Sequence, residues 1–207
     1  MIIKVCGMRD SENIRAVEKI GVDWMGFIFF PGSSRYVGEG LGYIPEKVKR
    51  VGVFVNEPLE SVRVIASKNR LQIIQLHGNE PPGYCVSLKN AGFTIVKAFG
   101  IESGKPFPEE LVEQYEGSCD YFLFDTRTAQ HGGSGRKFHW KLLSSYRGET
   151  PFLLSGGIRA EDAVEVKGFN HAQFAGVDLN SGFETTPAIK DSIRLQNFIK
   201  TIRYEQD

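Results

Sequence analysis

The sequence has no excess of charge, almost no cysteine and no long apolar run. Its 25 Lys and Arg residues are matched by 25 Asp and Glu, and the basic ones are scattered. A nucleic-acid groove or an anionic membrane surface needs a basic stripe, so neither is an expected partner. The N-terminal MIIKVCGMRD holds too short an apolar stretch for a secretory signal, and nothing approaches a membrane span. The expected location is cytoplasmic. Cys6, Cys85 and Cys119 form no CxxC pair, so neither a disulfide framework nor a zinc site is signalled. His77, His131, His139 and His171 are the only histidines, and no pairing of them at a strand end suggests a metal. A GxGxxG turn after the first apolar run, the mark of a dinucleotide fold, is also missing. No linker or low-complexity segment divides the 207 residues, which predicts one domain over 1–207 with a core large enough to need no staple.

What is present is a repeat of short β-branched and aromatic runs: 2–6, 24–29, 51–55, 73–77, 94–99, 121–125, 151–155 and 174–179. Several are apolar at consecutive positions, as strands covered on both faces are. Between them lie segments of helical period, among them SENIRAVEKI with Ser11 as N-cap, LESVRVIASK, PPGYCVSLKN and AEDAVEVKG. A last helix is expected to start at Thr186–Pro187, with Ile189, Ile193 and Ile199 on one stripe. The glycine-broken segment 36–50 is a poor helix. Eight strand–helix units predict an α/β fold, a compact, parallel eight-stranded (β/α)8 TIM barrel.

In such a barrel the chemistry sits at the C-terminal ends of the strands. Cys6 ends the first strand, two residues from Lys4 on the same face; it is either a packing thiol or a base activated by a nearby cation. Asp125 ends the sixth, where a carboxylate either caps a turn or exchanges protons. The glycine-bearing loop 126–137 after it is long enough to cover a site. Gly156 and Gly157, then Asn180 and Ser181, occupy the two loops where barrels commonly bind phosphate; glycines there also serve plain tight turns. Arg35, in FFPGSSRYV, is either solvated surface or a fork for a carboxylate. Gln75 and His77 share a strand face and point either inward or into packing, and Asp178 stands at the end of the eighth strand.

Taken in order, KVCGM at 4–8, FIFFPGSSRYV at 27–37, VGVFVN at 51–56, IQLHGNE at 74–80, FLFDT at 122–126, GGSGRKFHW at 132–140, LSGGIRAEDA at 154–163 and GVDLNSGFE at 176–184 resemble the phosphoribosylanthranilate isomerase family along the whole chain. The resemblance implies an Amadori rearrangement of N-(5′-phosphoribosyl)anthranilate within tryptophan biosynthesis. By the same resemblance Cys6 is the general base, Asp125 the general acid and Arg35 the holder of the anthranilate carboxylate. Gln75, His77 and Asp178 are expected to contact substrate, and Gly156, Gly157, Asn180 and Ser181 its phosphate. No metal or organic cofactor is implied, because the substrate nitrogen serves as electron sink, and the state is monomer or homodimer. Three positions depart from the family pattern: Asn180 stands where serine is usual, His139 where an acidic residue is, and Ser34 where proline is common. The competing readings are another phosphosugar barrel isomerase or epimerase, which would open with an aspartate at position 6 or carry a metal site, and a non-catalytic phosphometabolite-binding barrel.

Overall fold

The computed structural model of the protein describes residues 1–38, 40–126 and 138–204. Eight parallel strands close into a barrel in sequence order: β1 (Ile2–Val5), β2 (Trp24–Ile28), β3 (Lys49–Phe54), β4 (Ile73–Leu76), β5 (Thr94–Ile101), β6 (Tyr121–Thr126), β7 (Phe152–Leu154) and β8 (Phe174–Leu179). The seam is parallel like the rest, with Lys4 paired to Trp24 on one side and to Asp178 on the other. Outside lie α1 (Ser11–Ile20), α2 (Leu59–Lys68), α3 (Pro82–Asn90), α4 (Glu109–Glu113), α5 (Ala163–Gly168) and α6 (Ser192–Arg203). The (β/α)8 barrel expected from the eight runs is the observed fold.

Alternation along the strands divides the apolar residues between two cores. Ile3, Met25, Phe27, Phe54, Ile74, Phe122 and Phe124 face the helices within the larger cluster. Trp24, Val51, Ile73, Val96, Leu123 and Leu153 form a separate plug inside the barrel, with Trp24 edge-on to Tyr121 at 5.2 Å. All six belong to the first three residues of their strands, and only Ala98 of the same cluster sits further along, so the plug fills the N-terminal end of the bore. The next inward positions, one or two steps further along, are where polar side chains begin. That layering is what turns a filled barrel into one with an open upper mouth.

Two helix starts differ from expectation. Asp10, not Ser11, caps α1, accepting the Asn13 amide at 2.8 Å. The last helix begins at Ser192, with Asp191 accepting from the Ile193 and Arg194 amides. Residues 184–190 instead form a hairpin of β9 (Glu184–Thr186) and β10 (Ile189–Lys190). Ala188 adopts a left-handed conformation, φ 69°, which a helix running from Pro187 does not allow. The buried stripe is accordingly Leu195, Phe198, Ile199 and Ile202, and Ile193 is exposed. Among the described residues the connection from β5 to β6 holds only the short α4, and the one from β6 to β7 a 3₁₀ helix at Trp140–Ser145. The glycine-bearing loop, from 127 to 137, lies outside the described residues. Among those described, no helix is long and apolar enough to cross a membrane.

Candidate active site

Above the plug the barrel opens into a cavity of about 880 Å³, counting the space open to solvent at its mouth. That is the size range of small-molecule sites. Cys6 from β1, Gln75 and His77 from β4, Asp125 from β6 and Asp178 from β8 all line it. So do Gly156 and Gly157 after β7, and Asn180 and Ser181 after β8. Every candidate named from the sequence except Arg35 is therefore part of one wall.

Cys6 is held where the sheet closes: its amide donates to the Leu179 carbonyl at 2.8 Å. Its thiol needs the glycine opposite, because a Cβ on Gly26 would sit 2.6 Å from Cys6 Sγ. Below it, Lys4 Nζ donates to Asp178 Oδ1 at 2.9 Å, both groups almost wholly buried. Burial pushes the Cys6 thiol up from its ordinary range, while Lys4 and, further out, Lys190 pull it down. Lys4 remains an ammonium: burial alone would favour its neutral form, but Asp178 and Cys6 outweigh that and raise it. Burial likewise raises Asp178, with Lys4 acting against it.

Asp125 projects into the cavity from β6. Its Oδ1 accepts the Thr126 amide at 2.8 Å, and its Oδ2 stands 3.6 Å from His77 Nε2. The other ring nitrogen of His77 is 3.0 Å from Gln75 Nε2. With the amide nitrogen as donor, the network assigns the proton of a neutral His77 to Nε2, facing Asp125. His77 is thus no satisfied core histidine but part of the wall, its side chain 34% exposed. Gln75 Oε1 is buried with no hydrogen-bond partner among the described residues, leaving one acceptor for a ligand to fill.

Arg35 is neither solvated surface nor part of the cavity wall. Its Nε and Nη2 donate to the two oxygens of Glu184 at 2.8 and 2.6 Å, a bidentate pair that raises the Arg35 pKa. Glu184 also accepts from Lys190 Nζ at 2.6 Å. Burial would raise the Glu184 carboxyl, but Arg35 and Lys190 together hold it below the usual range. Lys190 Nζ further donates to Asn180 Oδ1 at 2.7 Å, so the oxygen of the Asn180 side chain is occupied. Glu184 and Lys190 were not singled out in the sequence. Glu184 closes the GVDLNSGFE motif, and Lys190 was hidden by reading 186–190 as the start of a helix.

On the far wall Gly156 and Gly157 are both left-handed, φ 90° and 67°, and a Cβ on Gly156 would collide with Thr126. A side chain is excluded there on both grounds. Beside them, after the neighbouring strand, Ser181 begins a 3₁₀ turn, Ser181–Phe183. The two loops follow neighbouring strands and pack backbone to backbone, so that a Cβ on Gly182 would collide with the Ile158 carbonyl. Among the described residues no three of His, Cys, Asp and Glu converge as a metal set would.

A family model described as N-(5′-phosphoribosyl)anthranilate (PRA) isomerase matches residues 3–201. The N-(5′-phosphoribosyl)anthranilate isomerase of Phocaeicola vulgatus is 52% identical over 203 residues, covering 98% of both chains. The crystal structure of phosphoribosyl anthranilate isomerase from Thermotoga maritima superposes with a TM-score of 0.79 at 32% identity, over 98% of this chain and 99% of that one. Another phosphoribosyl anthranilate isomerase, solved with reduced 1-(o-carboxyphenylamino)-1-deoxyribulose 5-phosphate, gives 0.75 at 29% identity over the same shares. The chain belongs to the N-(5′-phosphoribosyl)anthranilate isomerase family.

Proposed function

We propose that residues 1–207 act as one catalytic domain that converts N-(5′-phosphoribosyl)anthranilate to 1-(2-carboxyphenylamino)-1-deoxyribulose 5-phosphate, a step of tryptophan biosynthesis. The observation that carries this reading is the placement of a thiol and a carboxyl, Cys6 on β1 and Asp125 on β6, in the wall of one cavity with glycine loops beside them. Asp125 gives a proton to the furanose ring oxygen as the nitrogen lone pair opens the C1–O bond, leaving a protonated Schiff base. Cys6, as thiolate, takes the C2 proton, and the electron pair moves to the nitrogen to give an enolamine, which tautomerises to the aminoketone. Each group reaches its own atom of one substrate held between them. The substrate nitrogen is the electron sink, so the sequence of steps needs no added cofactor or metal.

Gly156, Gly157, Asn180 and Ser181 receive the phosphate through backbone groups and the Ser181 hydroxyl. Gln75 Oε1, His77 and Asp178 face the sugar. Arg35 stands behind the cavity wall with Nε and Nη2 held by Glu184, and a carboxylate bound deep in the cavity reaches it only through Nη1. The even charge and the small phosphorylated substrate support a cytoplasmic enzyme, monomer or homodimer, with no nucleic-acid partner.

The test is incubation with freshly made N-(5′-phosphoribosyl)anthranilate, following loss of anthranilate-type fluorescence. Wild-type protein turns it over; Cys6→Ser loses most of kcat while still binding product analogues, because a hydroxyl is too weak an acid to be ionised near neutral pH. A Cys6→Ser enzyme with wild-type kcat removes Cys6 from the mechanism.

A further inference from the structure

Two buried ammonium groups flank Cys6, and their charge balance differs. Lys4 is matched one to one by Asp178 at 2.9 Å. Lys190 is not. Its Nζ lies 2.6 Å from Glu184 Oε1, but the same carboxylate is gripped by Arg35 at 2.8 and 2.6 Å. Two cations share one anion, and the remaining partner of Lys190, Asn180 Oδ1, is neutral. Among the described residues no second anion pairs with the group, which carries one uncompensated positive charge. Its side chains are 0% (Lys190), 6% (Glu184) and 11% (Arg35) exposed, so solvent screens that charge little. Burial, and more weakly Arg35, lower Lys190 while Glu184 raises it, and Arg35 and Lys190 together lower Glu184 against its burial.

Cys6 is a reactive group close beside it. A Cβ on Gly7, the residue after it, would lie 2.6 Å from Arg35 Cδ and 2.8 Å from Asn180 Oδ1, so the ionic group packs directly against the backbone that carries the thiol. Its position is fixed from behind. The Asn13 side chain of α1 donates to the Lys190 carbonyl and accepts from the Lys190 amide, both at 2.8 Å, pinning the β9–β10 hairpin with Lys190 turned inward. The charged groups facing Cys6 are Lys4, Asp178, Lys190 and Arg35, with His77 and Asp125 across the cavity. Lys4 favours the thiolate by its charge and by a hydrogen bond, Asp178 opposes it, and Lys190 adds a further, smaller pull in the same direction as Lys4.

We propose that Lys190 is a positioning residue for the base: the uncompensated charge of the Arg35–Glu184–Lys190 group stabilises the thiolate of Cys6 against its burial. This rests on the reading of Cys6 as base, and on that reading the hairpin after β8 belongs to the proton chemistry rather than to packing alone.

The deciding experiment is the pH dependence of Cys6 alkylation by iodoacetamide in the ligand-free full-length protein, with the modified residue identified by peptide mass. In Lys190→Met the ionisation of Cys6 moves to higher pH, and alkylation at neutral pH slows about tenfold, as removal of one poorly screened charge implies. Lys190→Arg keeps the wild-type profile. Glu184→Gln, which adds net positive charge, moves it to lower pH. An unmoved ionisation, or a shift in the same direction in Lys190→Met and Glu184→Gln as loosened packing would give, overturns the proposal. If Lys190→Met does not fold, Glu184→Gln decides alone: a downward shift supports the proposal and any other result overturns it. Wild-type turnover in Cys6→Ser would overturn it from the other side, by removing the base, and the alkylation profile keeps the two failures apart.

Discussion

Arg35 shows how much a single side chain's role depends on its partner. Glu184 occupies one edge of its guanidinium with two hydrogen bonds, which fixes the plane of the other edge before any ligand arrives. A lysine at 35 would keep the charge and lose the fork. Arg35→Lys is therefore expected to lower kcat/KM by the equivalent of about 2–4 kcal/mol, the usual loss for a desolvated charged contact, read by steady-state kinetics with the fluorescent substrate. Unchanged kinetics would leave Arg35 as a purely structural partner of Glu184. At this scale the sequence was most informative where position alone implies exposure to the bore. Cys6, Asp125, Gly156 and Gly157 follow from being at strand ends, whatever their neighbours. The partner of Arg35 lies 149 residues away, and no local pattern announces a contact of that separation.

Elements follow the same division between local and non-local causes. Helix α1 carries its own signals: an Asp10 cap, an apolar stripe ending in buried Val17, and Gly21 in the left-handed C-cap position. What α1 does for the barrel was not legible. Its Glu18 accepts the Glu46 and Lys47 amides at 2.6 and 2.7 Å and the Tyr43 hydroxyl at 2.7 Å, binding the glycine-broken segment that cannot become a helix. Burial would raise Glu18, but these three donors outweigh it and lower its pKa. Glu18→Ala leaves two amides without their acceptor and should cost about 2–3 kcal/mol in urea unfolding at neutral pH. A carboxyl whose folded pKa is depressed stabilises fully above its unfolded value, near 4.5, and loses that contribution as pH falls through the lower folded value. The gap between wild type and Glu18→Ala should accordingly be full at pH 6 and narrow below 4.5. A constant gap through that window would mean the carboxylate is not the source. The β9–β10 hairpin was misread for a reason of the same kind: Thr186–Pro187 is a sound helix start locally, and it yields because Asn13 holds Lys190 and Asp191 caps the following turn.

For the whole molecule, the eight-fold repeat made the architecture readable without any single strong element. Eight runs at similar spacing and a lack of dinucleotide turn leave few alternatives to closure. Closure then does what no local feature does. It brings β1 beside β8, so that residues 174 apart, Lys4 and Asp178, meet below Cys6. It also sets Asp125 in the same wall as His77, 3.6 Å away. The apolar plug beneath both keeps the site at one end of the bore. On the proposed function this arrangement works as an acid and a base on one substrate. The most direct test of that claim is kcat for Asp125→Asn on freshly made N-(5′-phosphoribosyl)anthranilate, with product-analogue affinity measured on the same protein. The amide keeps the shape and the Thr126 contact but has no proton of suitable acidity to give. Turnover lost by about two to four decades with analogue affinity retained is the expected result; turnover near wild type would place the acid elsewhere and contradict the account.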